Sequence, residues 1–317
     1  LIQPALATHN LHIIANAFVV KLLTDETKNI KSALYLTKEG TQKSVEAKLF
    51  VLAAQAVESS RLLLNSKNKE FPDGLANSSG AVGKNMLFTG GGMGSGEFDL
   101  SHFSQETLLQ SGLFVNRALK DWYFTKEFKG GVVDFLFEHP NPIRRANSLK
   151  REDGKLLFGK ALQDKIFQTF TTTRTLSFEV FTDWMPNDNC FVSVDENYQD
   201  KYGIPVANIR IGAHPQDVKV GEFLAQKALK VLEKMEAKNI TYDISPLPSQ
   251  NLQAGGCRFG DDPKKHVLNR YCQSYDHPNL FVTDGSFMPT GGSVPYTWTI
   301  YANAFRVAHY IRDNIRI

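Results

Sequence analysis

From Phe18 to Leu23 the chain reads Phe-Val-Val-Lys-Leu-Leu. That mixture of β-branched, aromatic and other apolar residues suits a half-buried pleated strand. His12-Ile13-Ile14 has the same character and predicts a strand just ahead of it. Thr24 to Asn29 is a polar turn, Ala33-Leu34-Tyr35-Leu36 a further strand, and Lys38-Glu39-Gly40 a second turn. Leu49 to Ala54 is apolar throughout, with no charge or proline. Such a run predicts a central strand covered on both faces rather than an edge. Val57, Arg61, Leu62 and Leu64 then fall at near-helical spacing. A meander that leads into a buried strand and a helix is a frequent ending of an α/β layer.

The pattern changes after residue 66. Pro72-Asp73-Gly74, Asn77-Ser78-Ser79-Gly80 and Gly90-Gly91-Gly92 mark loops. Between about 100 and 215, short apolar stretches alternate with polar turns; Phe178 to Phe181 and Phe191 to Val194 read as strands. Asp217 to Lys238 is the clearest helix. Val220, Phe223, Leu224, Val231 and Met235 share one face, with Lys227, Lys230, Glu233 and Lys234 largely off it. Leu280 to Thr283 is a second buried-type strand. Thr299 to Arg312 is a final helix with Ile300, Ala304, Val307 and Ile311 on one side. The two buried-type strands both need cover, so the ends of the chain are expected to pack together, with the middle forming a separate layer.

Composition narrows the classes. The 317 residues are 42% hydrophobic and 22% charged, which excludes a disordered tail, a collagen-like repeat and a disulfide scaffold. At roughly 100–200 residues per domain, this length suggests about two domains. The 36 basic and 33 acidic residues leave a net charge of only +3, no basis for a nucleic-acid or membrane-surface partner. No apolar run approaches the ~18 residues of a transmembrane segment. Cys190, Cys257 and Cys272 are far apart and suggest neither a disulfide framework nor a zinc site. The chain starts at Leu1 with no basic segment followed by an apolar stretch, which reads as a fragment or a processed chain.

Gly92, Gly94 and Gly96 form a GxGxG pattern. A phosphate-binding turn would need a buried strand before it, a helix after it and an acidic residue about 20 positions on. Only Met86-Leu87-Phe88 precedes, and Glu97-Phe98-Asp99 opens no periodic helix, so flexible or close-packed backbone is the better reading. Asn77-Ser78-Ser79 and Asn239-Ile240-Thr241 fit the glycosylation triplet, a pattern frequent by chance. The eight histidines do not cluster at metal spacing, and no metal-ligating set is assigned. His139, His214 and His277 each precede a proline, as surface or turn histidines do. Cys257 beside Arg258 is either a thiol of lowered pKa or a small buried residue.

The last 70 residues carry the chemistry. Gly255-Gly256-Cys257-Arg258-Phe259-Gly260-Asp261-Asp262-Pro263 is followed by Asn279-Leu280-Phe281-Val282-Thr283-Asp284-Gly285-Ser286. Pro289-Thr290-Gly291-Gly292 then leads to Thr297-Trp298-Thr299-Ile300. This is strand, Asp-Gly-Ser turn, glycine-rich loop, helix. A helix start behind two glycines can aim its N–H groups at an anionic or electron-rich cofactor edge.

This order of motifs resembles the glucose-methanol-choline (GMC) family of FAD oxidoreductases, most of all its bacterial sugar and polyol dehydrogenase branch. Leu49 to Ser59 with Arg61-Leu62-Leu63-Leu64, Gly74 to Asn85, and Tyr202-Gly203-Ile204-Pro205 are similar to further segments of that family, in the same order. The resemblance implies an α/β protein with an α+β cap. A partial Rossmann-like FAD-binding domain would comprise residues 1–68 and 246–317, and a substrate cap on a mainly antiparallel sheet residues 69–245. The family's dinucleotide fingerprint, normally near the N-terminus, is absent, in keeping with an N-terminally truncated fragment.

The resemblance further implies hydride transfer from the CH–OH group of a small-molecule alcohol, sugar or polyol to flavin N5, with an electron-acceptor protein as a second partner. It places cofactor contacts at Ala53, Ala54, Asp284, Gly285, Val294, Pro295, Tyr296 and Thr297, the loop from Gly291 to Thr297 facing the ring edge. The family's proton-handling histidine falls at Leu252 and its second His or Asn at Pro295, side chains with no proton to exchange. Tyr296 carries the nearest hydroxyl and is the catalytic candidate. Leu252 and Pro295 also motivate an alternative, a non-catalytic flavin-fold protein with a binding or assembly role.

Overall fold

The computed structural model describes residues 1–104, 115–137, 141–152 and 154–315; His139 lies outside the described residues. Six helices occur among them: α1 (Ile2–Ala7), α2 (Ala56–Asn65), α3 (Pro142–Ser148), α4 (Gly159–Thr171), α5 (Pro215–Lys234) and α6 (Thr297–Asn314). None is long and apolar enough to cross a membrane. The strands run β1 (Phe18–Thr24), β2 (Ile30–Leu36), β3 (Gln42–Glu46), β4 (Phe50–Leu52), β5 (Leu87–Thr89), β6 (Gly91–Asp99), β7 (Val115–Leu119) and β8 (Val132–Phe137). They continue with β9 (Arg151–Glu152), β10 (Lys155–Leu156), β11 (Thr173–Phe181), β12 (Phe191–Gln199), β13 (Pro205–Arg210), β14 (Lys238–Ile244), β15 (Ser249–Ala254) and β16 (Leu280–Val282).

The predicted meander is present as the antiparallel sheet β1-β2-β3. Its inner face buries Val20, Leu22, Ile30 and Ala33. The strand expected at His12–Ile14 is absent. That segment is extended but unpaired, Ile13 and Ile14 are exposed, and α1 before it buries no residue. β-branched composition favours a strand only where a neighbour accepts its hydrogen bonds.

β4 and β16 pair in parallel, Phe50 with Leu280, Val51 with Phe281 and Leu52 with Val282, so the two ends of the chain do pack together. The expectation that Leu49–Ala54 forms a central strand is corrected. The strand is three residues long, Val51 is 50% exposed, and Ala53 and Ala54 are exposed. Among the described residues β4 pairs only with β16 and is therefore an edge. β16 is the buried member. Its other side is closed by the 272–274 segment, where Ser274 N–H donates to Leu280 O at 2.8 Å and Val282 N–H to Cys272 O at 2.9 Å. An apolar run reports a preference for burial, whereas coverage depends on which strands arrive beside it.

The middle of the chain forms a five-stranded antiparallel sheet, β14-β6-β11-β8-β7. Helix α5 lays Val220, Leu224, Ala225, Ala228 and Leu232 on one face of it, against Val133, Phe135, Phe178 and Val180. The glycine run read as a loop is strand β6, held between β11 and β14. The close-packing reading of those glycines holds. A Cβ on Gly94 would lie 2.4 Å from the Phe178 ring and 2.5 Å from the Thr241 carbonyl oxygen.

Helix α5 ends at Lys234, short of the expected Lys238, where β14 begins. Glu236 takes φ 62°, Ala237 N–H donates to Leu232 O at 3.0 Å and Glu236 N–H to Glu233 O at 3.0 Å. That is the double hydrogen bond of a Schellman turn, here without its usual glycine.

His277 ties the two ends of the chain together. It is buried; its Nδ1 lies 2.6 Å from the Lys28 carbonyl oxygen, and its Nε2 accepts the Ala76 N–H at 3.1 Å. These contacts suit the neutral ring, and burial lowers its pKa below the ordinary histidine value despite Asp276 and Glu70 nearby. The unfolded chain takes up the proton first. The His277 contribution is thus fully present above the unfolded histidine value near pH ~6.5 and is lost as pH falls through the folded value. Thermal melting should show a drop in Tm from about pH 7.5 to about pH 5.5 that is smaller in His277→Gln; an unchanged drop would contradict this role.

Candidate functional site

In open parallel sheets, ligands bind beyond the carboxyl ends of the strands. Ala53 and Ala54 follow β4 there, and Asp284 and Gly285 follow β16. The structure joins these two pairs through Ser59. The Ala54 N–H donates to Ser59 Oγ at 3.2 Å, and the Ser59 hydroxyl donates to Asp284 Oδ2. Asp284 Oδ1 also accepts the Ser286 N–H at 2.8 Å, capping the short 3-10 turn Gly285–Phe287. The Gly255 N–H donates to Gly285 O at 3.0 Å and the Cys257 N–H to Ser286 O at 2.9 Å, so the two C-terminal motifs run side by side. Gly256 is needed for this approach: its φ is 94°, and a Cβ would lie 2.5 Å from Ser60 Oγ.

Cys257 is fully buried, and its thiol pKa is pushed up to about 12, first by burial and then by the negative charge of Asp284. It is a core residue, and the activated-thiol reading is set aside.

Between Ala54 and α2 stands Gln55, at φ 79° and ψ 153°. That region belongs to glycine, and a residue with a Cβ pays of order 1–3 kcal/mol to occupy it. Its side chain compensates locally: Oε1 accepts the Val57 N–H at 3.0 Å and the Glu58 N–H at 3.4 Å, filling the start of α2. Its amide nitrogen donates to Gln253 Oε1. Leu252, where the resemblance places a histidine, sits beside that contact at φ 50° and packs half-buried against the core.

The loop from Gly291 reaches the start of α6. Val294 is half-buried, Pro295 exposed, Tyr296 buried and Thr297 exposed. Tyr296 packs edge-on against Trp184, with ring centres 5.6 Å apart. Its hydroxyl is buried and has no hydrogen-bond partner among the described residues. Burial pushes its pKa far above the ordinary phenol value; the group is an orphaned donor, unfit as a base near neutral pH. No side chain caps α6, leaving the N–H groups of its first turn available. The loop adjoins the Asp284 cluster: a Cβ on Gly285 would lie 3.4 Å from Ile300 Cδ1, in the first turn of α6.

An open groove of about 590 Å³ beside the unpaired edge of β4 is lined by Phe18, Val20, Val51, Ala53, Ala54 and Leu62. A second, of about 610 Å³, is lined by Tyr123, Met288, Gly292, Val294 and Asn303. The structure therefore brings Ala53, Ala54, Asp284 and Gly285 into one cluster, with Val294 to Thr297 adjoining it. Sequence reasoning missed Ser59, Gln55, Gln253 and Trp184. Only Gln55 left a signal, as the polar residue between an apolar strand and a helix start, where a cap is needed.

Two family models, both described as GMC oxidoreductase, match residues 1–88 and 186–304. A 2-methyl-1,2-propanediol dehydrogenase of Mycolicibacterium austroafricanum is 31% identical over 90% of this chain and 52% of its own length. The fructose dehydrogenase large subunit of Gluconobacter japonicus is 25% identical over 96% of this chain and 54% of its own. The chain spans about half the length of the curated relatives it matches. A solved formate oxidase variant from Aspergillus oryzae shares the fold with a TM-score of 0.65, at 13% identity, over 97% of this chain and 62% of that one. Pyridoxine 4-oxidase from Mesorbium loti does so with a TM-score of 0.59, at 15% identity, over 94% of this chain and 58% of that one.

The strain and the cap at Gln55 can be separated. Gln55→Ala keeps the strained backbone and loses the cap, and should destabilise by about 1 kcal/mol. Gln55→Gly loses the cap but relieves the strain, and should be the more stable of the two in chemical denaturation. The reverse order would show that the backbone here is unstrained.

Proposed function

Because this chain belongs to the GMC oxidoreductase family, we propose that it is the catalytic part of an FAD-dependent enzyme that oxidises the CH–OH group of an alcohol, sugar or polyol. The observation that carries this reading is the joining of Ala53–Ala54 to Asp284–Gly285 at the carboxyl ends of two parallel strands. The orphaned Tyr296 hydroxyl and the uncapped start of α6 add donors of the kind an electron-rich ring edge needs. When bound, FAD supplies the hydride acceptor, its N5 atom.

In this reading residues 1–68 and 246–317 hold the cofactor, and 69–245 supply the substrate cap. Asp284 is held by Ser59 and by the Ser286 N–H, so its part is to fix the turn that carries Gly285. Ala53, Ala54 and Gly285 offer small side chains or none, letting backbone approach a flat ligand. Val294 and Pro295 shape the loop, and Thr297 opens the helix. Tyr296 donates a hydrogen bond and takes no proton. The substrate class follows the relatives named for a propanediol and for fructose. A separate electron-acceptor protein follows from the relative named as a large subunit and from the gluconate 2-dehydrogenase flavoprotein of Pantoea cypripedii.

One observation favours a second reading. Leu252 and Pro295 have no exchangeable proton, and Tyr296 stays protonated, so none of these three groups takes the hydroxyl proton of an alcohol. A flavin-binding protein with a binding or assembly role would need no such group.

The two readings separate in a flavin spectrum. Under the first, the purified protein carries FAD that bleaches anaerobically on adding a sugar, a polyol or a simple diol; FAD that stays oxidised with all three supports the second. Tyr296→Phe gives a further check. Removing a buried, unpartnered hydroxyl should leave the Tm of the flavin-free protein unchanged or raised, while weakening FAD retention by roughly 0.5–1.5 kcal/mol, the worth of one hydrogen bond. Equal FAD retention in the two proteins would remove Tyr296 from the cofactor site.

A further inference from the structure

The glycine loop that precedes Tyr296 is held by the cap layer. Gly291 N–H donates to the Asp183 main-chain oxygen at 3.0 Å, and Gly292 N–H donates to Asp183 Oδ1 at 2.9 Å. The same carboxylate oxygen accepts Lys129 Nζ at 2.7 Å. Lys129 also stands 5.4 Å from the centre of the Tyr123 ring, and the Tyr123 hydroxyl donates to Gly292 O at 2.7 Å. The Ser293 hydroxyl donates to Gly130 O at 3.2 Å. One residue, Gly292, is thus gripped at both its N–H and its carbonyl by side chains from two cap segments.

The grip holds a conformation that an unrestrained chain would leave. Gly292 has φ 81° and Ser293, fully buried, has φ 63°; successive left-handed residues persist when the surroundings over-determine them. Asp183 is 8% exposed, and its carboxylate would stand almost buried and uncompensated without the Lys129 ammonium. The next residue, Trp184, carries the restraint onward. Asp217 accepts its main-chain N–H at 3.0 Å, its indole N–H donates to Gly90 O at 2.7 Å, and its ring packs against both Gly291 and Tyr296.

We propose that Asp183, charge-paired with Lys129, is a positioning residue that registers the substrate cap against the Val294–Thr297 loop at the flavin edge. This rests on the flavin reading given above. The pair touches neither substrate nor ring. It acts through Gly292 and Trp184, fixing the donor–acceptor geometry on which hydride transfer depends steeply.

The test compares Asp183→Asn, Asp183→Ala, Lys129→Met and Lys129→Arg in the flavin-loaded protein. The readouts are flavin content, anaerobic bleaching per bound flavin at saturating alcohol, and hydrogen exchange of the peptide spanning 289–296. Asp183→Asn keeps an acceptor for Gly292 N–H and should keep that peptide protected, with the smaller loss of rate. Asp183→Ala should expose the peptide and slow bleaching about tenfold or more without raising KM. Lys129→Met should slow bleaching likewise, Lys129→Arg should restore it, and Lys129→Met decides the matter if Asp183→Ala does not fold. Wild-type bleaching per flavin in Lys129→Met or Asp183→Ala, with the 289–296 peptide exposed, overturns the positioning role and leaves the flavin reading standing. A wild-type protein that retains no flavin overturns the flavin reading itself, and the positioning role with it.

Discussion

The three-residue parallel pairing of β4 with β16 is the constraint from which the rest follows. A parallel pair cannot be closed by a tight turn; it needs a crossover. Here the connection between the two strands contains the whole five-stranded sheet and α5. Everything local to the pair then serves to keep it in register. Asn279 donates its side-chain N–H to Ile30 O and accepts the Ile30 N–H, stitching β2 to the start of β16. Ser59 joins the strand ends, and Phe281, with no exposed surface, lies in the core that α6 covers through Val307, Tyr310 and Ile311. Because Ala53, Ala54 and Gly285 lie just past the ends of these two strands, their juxtaposition depends on the pair being made.

Much of the fold was legible because its elements obey simple periods. The meander from Phe18, the α5 face and the C-terminal helix are amphipathic over enough residues that local pattern and packing largely agree, although Met235, expected on the α5 face, lies past the helix end and is exposed. The errors share one cause, dependence on a partner distant in sequence. Ile13 and Ile14 look like a strand, yet no strand among the described residues accepts them. Leu49–Ala54 looks central, yet its far side is open. Gly90–Gly92 looks like a loop because glycine lowers strand propensity; Gly91 and Gly92 instead open β6, where the Val180 and Asp243 carbonyls leave no room for a Cβ. Motif order revealed the candidate site residues and their family, but the Asp183–Lys129 pair is joined to Gly292 only by folding.

The chemistry around the site favours neutral groups. Cys257 is kept as a thiol, Tyr296 as a phenol, and Leu252 and Pro295 have nothing to ionise. Of the carboxylates near the strand ends, Asp284 is occupied by Ser59 and Ser286, and Glu58 is paired with Arg61. What remains on offer is a set of hydrogen-bond donors: the orphaned Tyr296 hydroxyl and the first N–H groups of α6. Donors without acceptors select for an electron-rich ligand and stabilise negative charge that develops on it. They do not by themselves remove a proton, so binding and charge stabilisation are better provided for here than acid–base chemistry.

Backbone strain points to the same place. Asparagines and turn residues account for several of the positive φ angles outside glycine, and such residues reach that region at little cost. Lys28, Ala76, Glu236 and Cys272 take positive φ elsewhere in the fold, and Gln55, Trp184, Leu252 and Ser293 take it at the strand-end cluster or the loop before Tyr296. Each of the last four is also held by a specific contact: Gln55 by its own helix cap, Trp184 by Asp217, Leu252 by core packing and Ser293 by the Gly130 carbonyl. At Gln55, whose φ and ψ belong to glycine, the strain is the largest of the four, and the side-chain cap that offsets it fixes the backbone between Ala54 and α2.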